Sequence, residues 1–426
     1  MLILNKTKFI FKAIKRVRFN IVFIRNIFFV FKNEGFEGIW GKIHSISSRP
    51  NDSVRQNIEH VENFDYSTLD ELLESNKRKI LIIVHELSLT GAPIAAFFAA
   101  KALKKNGDCP VVACEINGPL KNEFEKNRIP VLVDSGLNQE DKFRKLIYKF
   151  NLLIINTIVP AMYIEYLQKE KIPVIWWIHE SNLSYSACPR PLPKELPKNI
   201  KIYCVGEYAR AALLSFRKKY TAKILLYGIE DIAQENNIVY EDNKTVFSMV
   251  GTLEYRKGHK VFIKAVQMMP EHLREKCRFI IVGREMEKFY LDRILRFKEQ
   301  YPEQVEFLSE LPRDEVINIY NKSTAIVSSS FDDPMPIVLT EGMALSKVCI
   351  CSTGTGTAPL IQDKYSGFVF KNGDARELLS KMIYVIENRE KLDNIKKAGR
   401  EIFEKYFHMQ VFQRNLQMII DVALSS

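Results

Sequence analysis

The sequence predicts an α/β protein with two Rossmann-like domains, each built on a parallel β-sheet. Three observations lead to this prediction. At 426 residues, the chain is too long for one ordinary domain. Short apolar runs typical of buried strands alternate with stretches that carry helix signals. Several of these strands end in loops that lead directly into a helix, which is the repeating unit of a Rossmann-like sheet.

Four divisions of the chain follow from composition and pattern. Residues 1–76 are predicted to be a basic amphipathic extension with a linker, and residues 77–230 the first Rossmann-like domain. Residues 231–405 are predicted to be the second Rossmann-like domain, and residues 406–426 a terminal amphipathic helix.

The extension combines positive charge with an apolar stripe. Residues 1–32 contain eight Lys or Arg and no acid, in a chain of formal net charge +11. The stripe recurs in steps of four and three, which places it on one helical face. It consists of Ile10, Ile14, Val17, Ile21, Ile24, Phe28 and Phe31. Arg25 interrupts the most apolar part, so neither a spanning helix nor a signal peptide is expected. We expect residues 6–32 to bind an anionic membrane surface; a helix packed on the protein or on a partner is the alternative.

The first domain opens with a buried strand at residues 79–84, followed by a loop that carries Gly91 and a helix that begins near Ile94. The loop has a single Gly, so it lacks the dinucleotide fingerprint and NAD binding is disfavoured. A later strand, residues 174–178, runs directly into His179.

The second domain repeats this pattern. Its first strand ends at Gly251 and Thr252, and Lys257-Gly258 precedes a helix. The next strand ends at Gly283 and Arg284.

The stretch from Ser328 to Gly356 carries the most specific chemistry. Asp333 and Glu341 are eight positions apart, and a small-residue helical segment is expected after Glu341. Asp333 suits the hydroxyls of a sugar and Glu341 the paired hydroxyls of a ribose, while a helix start offers backbone N–H groups to a diphosphate. The two carboxylates would therefore bracket a nucleotide-sugar. The alternative is that Asp333 is a turn acid and Glu341 a solvated helix residue.

This stretch resembles the E-x7-E region of retaining glycosyltransferases of family 4, of the bacterial polysaccharide type. The resemblance rests on Asp333-x7-Glu341 and on Ser366–Phe370, and it extends from about Lys77 to the carboxyl terminus. It implies the GT-B fold, in which two Rossmann-like domains face a cleft and a terminal helix, here residues 406–426, crosses back to the first domain. It also implies that the second domain binds the nucleotide-sugar donor, that the first binds the acceptor, and that transfer occurs with retention.

The resemblance also implies roles for individual residues. His179, Lys257 and Asp333 form the catalytic set, with His179 on the donor sugar and Lys257 on the diphosphate. Thr252 stands where the family has Arg, and Arg256 lies in a different register. A second departure is at Pro359, near which the family often has an acid. The implied donor-binding residues are Gly91, Gly251, Thr252, Lys257, Gly283, Arg284, Met335, Pro336, Ile337 and Glu341.

Composition limits the other possibilities. No metal-ligand spacing stands out, so neither a metal nor a cofactor is expected. Seven cysteines without a CxxC pair indicate reduced, buried thiols, and we expect a cytoplasmic protein, peripheral on the inner face of the plasma membrane. The expected function is transfer of a sugar to a glycan or lipid-linked glycan. The alternatives are a non-catalytic GT-B partner subunit, a nucleotide-sugar epimerase or hydrolase, and a nucleic-acid protein, for which no motif is present.

Overall fold

The computed structural model describes Phe31, Ile39 and residues 64–73, 76–187, 192–233 and 244–425. The stripe predicted in residues 6–32 lies outside the described residues, apart from Phe31. The chain divides into two compact units. The amino-terminal unit contains residues 59–232, 334–337 and 401–426, and the carboxyl-terminal unit contains residues 233–333 and 338–400.

The amino-terminal unit is built on a parallel seven-stranded sheet in the order β3-β2-β1-β4-β5-β6-β7. Its strands are β1 (Lys79–Ile83), β2 (Cys109–Cys114), β3 (Val131–Val133), β4 (Leu152–Asn156), β5 (Val174–Ile178), β6 (Ile200–Cys204) and β7 (Ala222–Ile224). Its helices are α1 (Leu69–Leu72), α2 (Gly91–Lys105), α3 (Leu120–Lys126), α4 (Glu140–Ile147), α5 (Met162–Tyr166), α6 (Asn182–Ala187) and α7 (Glu207–Phe216). The central strands are apolar at nearly every position because helices cover both faces of a parallel sheet.

The carboxyl-terminal unit is built on a parallel six-stranded sheet in the order β10-β9-β8-β11-β12-β13. Its strands are β8 (Thr245–Val250), β9 (Cys277–Val282), β10 (Val305–Leu308), β11 (Ala325–Ser328), β12 (Val348–Ser352) and β13 (Phe368–Phe370). Its helices are α8 (His259–Gln267), α9 (Glu271–Arg274), α10 (Lys288–Gln300), α11 (Arg313–Lys322), α12 (Ile337–Ala344), α13 (Ala375–Glu387) and α14 (Leu392–Ile402). The strand order reverses between β8 and β11, and such a switch point is where open parallel sheets bind ligands.

The last helix, α15 (Met409–Leu424), belongs to the amino-terminal unit. Its inner face is buried at Phe412, Leu416 and Ile420. The ring of Phe412 stacks on Trp177 of β5, with the two centroids 5.6 Å apart. Helix α15 therefore contributes to the hydrophobic core of the amino-terminal unit, although it lies at the other end of the sequence.

Two helices begin earlier than the sequence predicts. Helix α2 begins at Gly91 rather than near Ile94, since Pro93 is tolerated in the first turn, where its missing N–H has no partner to lose. Helix α12 begins at Ile337, so Glu341 lies inside the helix instead of preceding it. The three-residue strands β7 and β13 were not predicted, because so short a run carries little periodicity.

The described cysteines agree with the expectation of buried, reduced thiols. All six are buried, none is assigned to a disulfide, and Cys188 lies outside the described residues. Burial raises the pKa of the Cys204, Cys277 and Cys351 thiols to about 12, which leaves them unreactive. No helix in the described ranges has the length and apolar character needed to cross a bilayer.

Candidate functional site

Two predicted site residues meet at the switch point of the carboxyl-terminal unit. Lys257 follows β8 and Asp333 follows β11, and these strands are neighbours in the sheet. The Lys257 ammonium donates a hydrogen bond of 2.6 Å to Asp333 Oδ2. The two side chains are only 17% and 7% exposed, so the pair is largely removed from water. The sequence named both residues but gave no sign that they pair.

Glycines make the close approach of these loops possible. Gly258 has φ of 70°, and a Cβ there would lie 2.0 Å from the Ser329 carbonyl oxygen. A Cβ at Gly283 would lie 2.0 Å from the carbonyl oxygen of Gly251. Only glycine fits at these two positions, since a Cβ would clash with a backbone carbonyl group, which cannot move away as a flexible side chain could. The predicted glycines of this unit therefore shape the loops at the switch point.

Arg256 joins the pair as a second cation, which the sequence analysis left out of the site. Its guanidinium lies 3.5 Å from Asp333 Oδ2 and 3.0 Å from Glu254 Oε1. Burial acts against its charge, yet the carboxylates of Glu254 and Asp333 raise the pKa of Arg256 above its ordinary value. Thr252 donates a 2.6 Å hydrogen bond to the same Glu254 oxygen. The structure therefore assembles two cations and two anions beside β8.

Backbone pairing fixes the position of Asp333. Its N–H donates to the Gly354 carbonyl at 3.0 Å, and its own carbonyl accepts from the Gly356 N–H at 2.9 Å. These two bonds tie the loop after β11 to the glycine turn after β12. The Asp333 carboxylate thus stands on a fixed backbone, which is what a residue that orients a ligand requires.

Glu341 is buried in α12 beside a cation that the sequence analysis did not identify. Its exposure is 3%, so it is not the solvated helix residue of the alternative interpretation. Arg313, the first residue of α11, lies with its guanidinium 2.6 Å from Glu341 Oε1. Burial, followed by the charge of Glu341, raises the pKa of Tyr320 well above its ordinary value. Arg313 is 28 positions away in sequence, and no local pattern links it to Glu341.

His179 stands at the end of β5 in the amino-terminal unit. Its ring is tilted over Trp177 with the centroids 4.5 Å apart, and its buried Nε2 atom has no hydrogen-bond partner among the described residues. Burial, with a smaller contribution from His85, lowers the pKa of His179 to about 3. At neutral pH the imidazole is therefore uncharged and can donate or accept a hydrogen bond.

Two further titratable residues surround His179. His85 follows β1, and burial lowers its pKa, although the charge of Glu86 partly offsets the effect. Glu180 accepts a 3.0 Å hydrogen bond from the N–H of His179, and burial raises its pKa to about 7 despite that bond. The strand end thus holds groups that are neutral or half-protonated near physiological pH. Glu180 follows His179 in the sequence, but only the structure shows that its carboxyl group is buried and that its pKa is therefore raised.

The remaining predicted residues lie in three places. Gly91 is exposed at the first position of α2, where a Cβ would meet nothing within 4 Å. Arg284 follows β9, and its guanidinium is 3.9 Å from Glu310. Met335 and Pro336 are buried, and Ile337 is partly buried, in the short segment that belongs to the amino-terminal unit. The predicted set is therefore divided between the two units.

No group of three or more His, Cys, Asp or Glu side chains within the described residues is arranged to hold a metal ion. The charged groups at the switch point are instead two cations and their carboxylates, which suit an anionic ligand with hydroxyl groups.

The chain matches two protein families. The family described as "Glycosyl-transferase family 4" matches residues 76–198, and the family described as "Glycosyl transferases group 1" matches residues 230–402. Together they account for most of the chain and correspond to the two Rossmann-like sheets. Neither the non-catalytic subunit nor the epimerase or hydrolase is favoured by these matches.

Among similar curated proteins are two bacterial transferases. One is the GalNAc-alpha-(1->4)-GalNAc-alpha-(1->3)-diNAcBac-PP-undecaprenol alpha-1,4-N-acetyl-D-galactosaminyltransferase of Campylobacter jejuni, 27% identical over 38% of this chain and 45% of the relative. The other is the O-antigen chain mannosyltransferase C of Escherichia coli, 27% identical over 45% of this chain and 52% of the relative. The chain thus spans about half the length of the curated relatives it matches.

Solved structures show the same architecture. Anabaena Alr3699/HepE, solved in complex with UDP and glucose, superposes with a TM-score of 0.69 at 18% identity, over 81% of this chain and 99% of that one. A glycosyltransferase from Rickettsia africae superposes with a TM-score of 0.68 over 82% of this chain. At such low identity these likenesses show the fold, which is GT-B. The chain therefore has the GT-B fold, with the match to "Glycosyl-transferase family 4" lying ahead of the match to "Glycosyl transferases group 1".

Proposed function

We propose that this protein transfers a sugar from a nucleotide-sugar donor to a glycan or lipid-linked glycan acceptor in the synthesis of a cell-surface polysaccharide. One observation carries the proposal: Lys257 and Arg256 converge on Asp333 at the switch point of the carboxyl-terminal sheet. The family matches and the undecaprenol-linked substrate in the name of the Campylobacter relative support it.

In the proposed reaction, the bond between the anomeric carbon and the diphosphate breaks, and a bond to an acceptor oxygen replaces it. The nucleoside diphosphate leaves as an anion, so stabilising its charge lowers the barrier most effectively. Lys257 and Arg256 are the cations that we assign to this task, without a metal ion. Asp333 would hold sugar hydroxyls, Glu341 the ribose, and His179 the donor sugar as a neutral hydrogen-bonding group.

We further propose that transfer proceeds with retention and that the enzyme works in the cytoplasm, attached to an anionic membrane by residues 6–32. Retention follows from the family resemblance alone. Attachment follows from the eight basic residues and the apolar stripe of the extension.

The test combines purified protein and membranes with a panel of nucleotide-sugars and measures release of nucleoside diphosphate. We expect one donor to be consumed only when membranes supply an acceptor, with the same rate in EDTA. The anomeric configuration of the product, read by NMR, tests retention. Release that needs no acceptor would indicate a hydrolase, and absence of release with every donor would indicate a non-catalytic subunit.

A further inference from the structure

A groove on the amino-terminal unit remains outside the proposed chemistry. It has a volume of 440 Å³ and lies between the β6–β7 edge of the sheet and α15. Its apolar lining includes Ile224, Leu226, Val411, Met418 and Val422. Because all of these residues belong to one unit, the groove is a property of that unit alone.

Helix α15 has two apolar faces, although packing on its own unit requires only one. The inner face, at Phe412, Leu416 and Ile420, is 0–1% exposed. The second face lines the groove, and Met418 and Val422 there are each 54% exposed. A surface helix of a globular protein normally presents polar residues on the side away from its core. Exposed apolar side chains that lie side by side in one groove can contact an apolar partner.

The charge of the groove is of one sign. Lys223 and Lys405 line it, and none of the described residues in its wall is acidic. Tyr203 and Tyr406 also contribute to its wall. Lysine can lay its aliphatic stem along apolar surface while its ammonium reaches outward, and tyrosine is enriched where hydrocarbon meets a polar layer. An occupant that matches this lining is apolar with an anionic group.

Two other occupants fit less well. Addition of a strand from a second copy is discouraged at β7, since this edge strand has three residues and one is Lys223. The apolar stripe of residues 6–32 is accompanied by basic side chains, which would face lysines of the same sign. An anionic lipid supplies both the apolar chain and the opposite charge.

We propose that this groove is a second lipid-contact surface that rests on a bilayer containing anionic lipid. Lys223 and Lys405 contact lipid phosphates, and Met418 and Val422 reach the acyl boundary. The inference rests on the proposed membrane association of the enzyme, but it places a contact on the folded body, separate from residues 6–32.

The test uses the full-length chain and flotation with phosphatidylcholine vesicles, with and without phosphatidylglycerol. Groove variants are Met418→Asp and the charge reversals Lys223→Glu and Lys405→Glu. Matched controls are Leu295→Asp and Lys298→Glu on α10, where Leu295 is 39% exposed and Lys298 is exposed as well. Each variant is made in the wild-type chain and in a chain whose stripe carries Ile14→Asp and Ile21→Asp. The second background removes the contribution of residues 6–32.

Each groove substitution should lower partition onto anionic vesicles by about fivefold or more in both backgrounds, with the controls unchanged. Equal partition of groove and control variants in both backgrounds overturns the proposal. A change of oligomeric state, or a lower melting temperature, with partition unchanged also overturns it, because the occupant is then a second copy or another segment of this chain. Affinity for UDP, ADP and GDP, measured on every variant, separates this result from the proposed function. Failure of the wild type to bind any of the three contradicts the enzyme assignment and leaves the vesicle result intact.

Discussion

Replacement of Arg313 by Ala should weaken nucleotide binding through Glu341. The Glu341 carboxylate is 3% exposed, and the Arg313 guanidinium lies 2.6 Å from it. A buried carboxylate that loses its cation is destabilised by several kcal/mol, about 3–5 in fully buried pairs. Arg313 is itself 37% exposed, so water can replace part of its contribution, and the cost in stability should fall below that range. The protein should therefore still fold.

Without Arg313, Glu341 is no longer held ready to accept ribose hydroxyls. Loss of one charge-assisted hydrogen bond costs about 1.5–3 kcal/mol, which corresponds to about 10- to 100-fold in Kd. Isothermal titration with UDP, the nucleotide in the Anabaena structure, measures this loss. Arg313→Lys should recover part of the affinity, since it restores the charge without the planar fork.

A double-mutant cycle separates positioning from general loss of structure. Arg313→Ala should have no further effect on UDP affinity in a Glu341→Gln chain. Arg274→Ala is the matched control, because this arginine of the same unit packs over the Tyr301 ring and donates to the Met269 carbonyl. Full UDP affinity in Arg313→Ala, or additive losses in the double variant, would refute the positioning role.

The remaining predictions concern the cations, the ribose, acid stability and the extension. Lys257→Ala should reduce turnover at saturating donor far more than it lowers the melting temperature, and wild-type turnover in a folded variant would remove Lys257 from the diphosphate site. Glu341→Ala should weaken UDP binding by about 1.5–3 kcal/mol, measured by titration, and unchanged affinity would contradict the ribose assignment. Burial, with a smaller contribution from Lys257, lowers the pKa of His259 in the folded protein to about 3. Below about pH 6.5 the unfolded chain therefore binds more protons than the folded one, and the free energy of unfolding falls as pH drops. Between pH 6.5 and 5, denaturant melts of His259→Leu should show a loss of unfolding free energy smaller than that of the wild type by about 2 kcal/mol. An equally steep fall of unfolding free energy with pH in the variant would contradict the buried, neutral state of His259. Deletion of residues 1–32 should strongly reduce binding to anionic vesicles while UDP binding and a cooperative melt persist; an aggregated product would mean that the stripe covers a core.

The sheets could be predicted from the sequence because their strands are buried on both faces. Runs such as residues 80–83 and 174–178 are continuously apolar, and a loop follows each of them. Helix starts were less certain, as α12 shows. Pro336 separates the loop from the helix, but the apolar residues after it read equally well as a strand.

Residues of the candidate site could be named from the sequence only where each belongs to a short local motif. Lys257 and Asp333 were each named from a motif in their own strand–loop–helix unit, and their roles stay predictions. Arg313 and Arg256 were not assigned, because their partners come from the tertiary structure. Arg256 faces Asp333 because a helical turn over Tyr255–Lys257 sets its direction, and no spacing rule in the sequence reports that turn.

In the proposed function, the pairing of Lys257 with Asp333 makes diphosphate binding a competition between two anions. The Lys257 ammonium already holds the Asp333 carboxylate at 2.6 Å, so the proposed diphosphate would compete with that carboxylate for the ammonium's three N–H donors. A singly charged anion offers little advantage over Asp333 itself, whereas a diphosphate brings more charge and more oxygen atoms to both cations. Since one ion pair replaces another within a shielded site, affinity should depend less steeply on salt than it would for exposed cations. On this proposal, a diphosphate that takes over the ammonium would leave the Asp333 carboxylate available to the hydroxyl groups of the sugar.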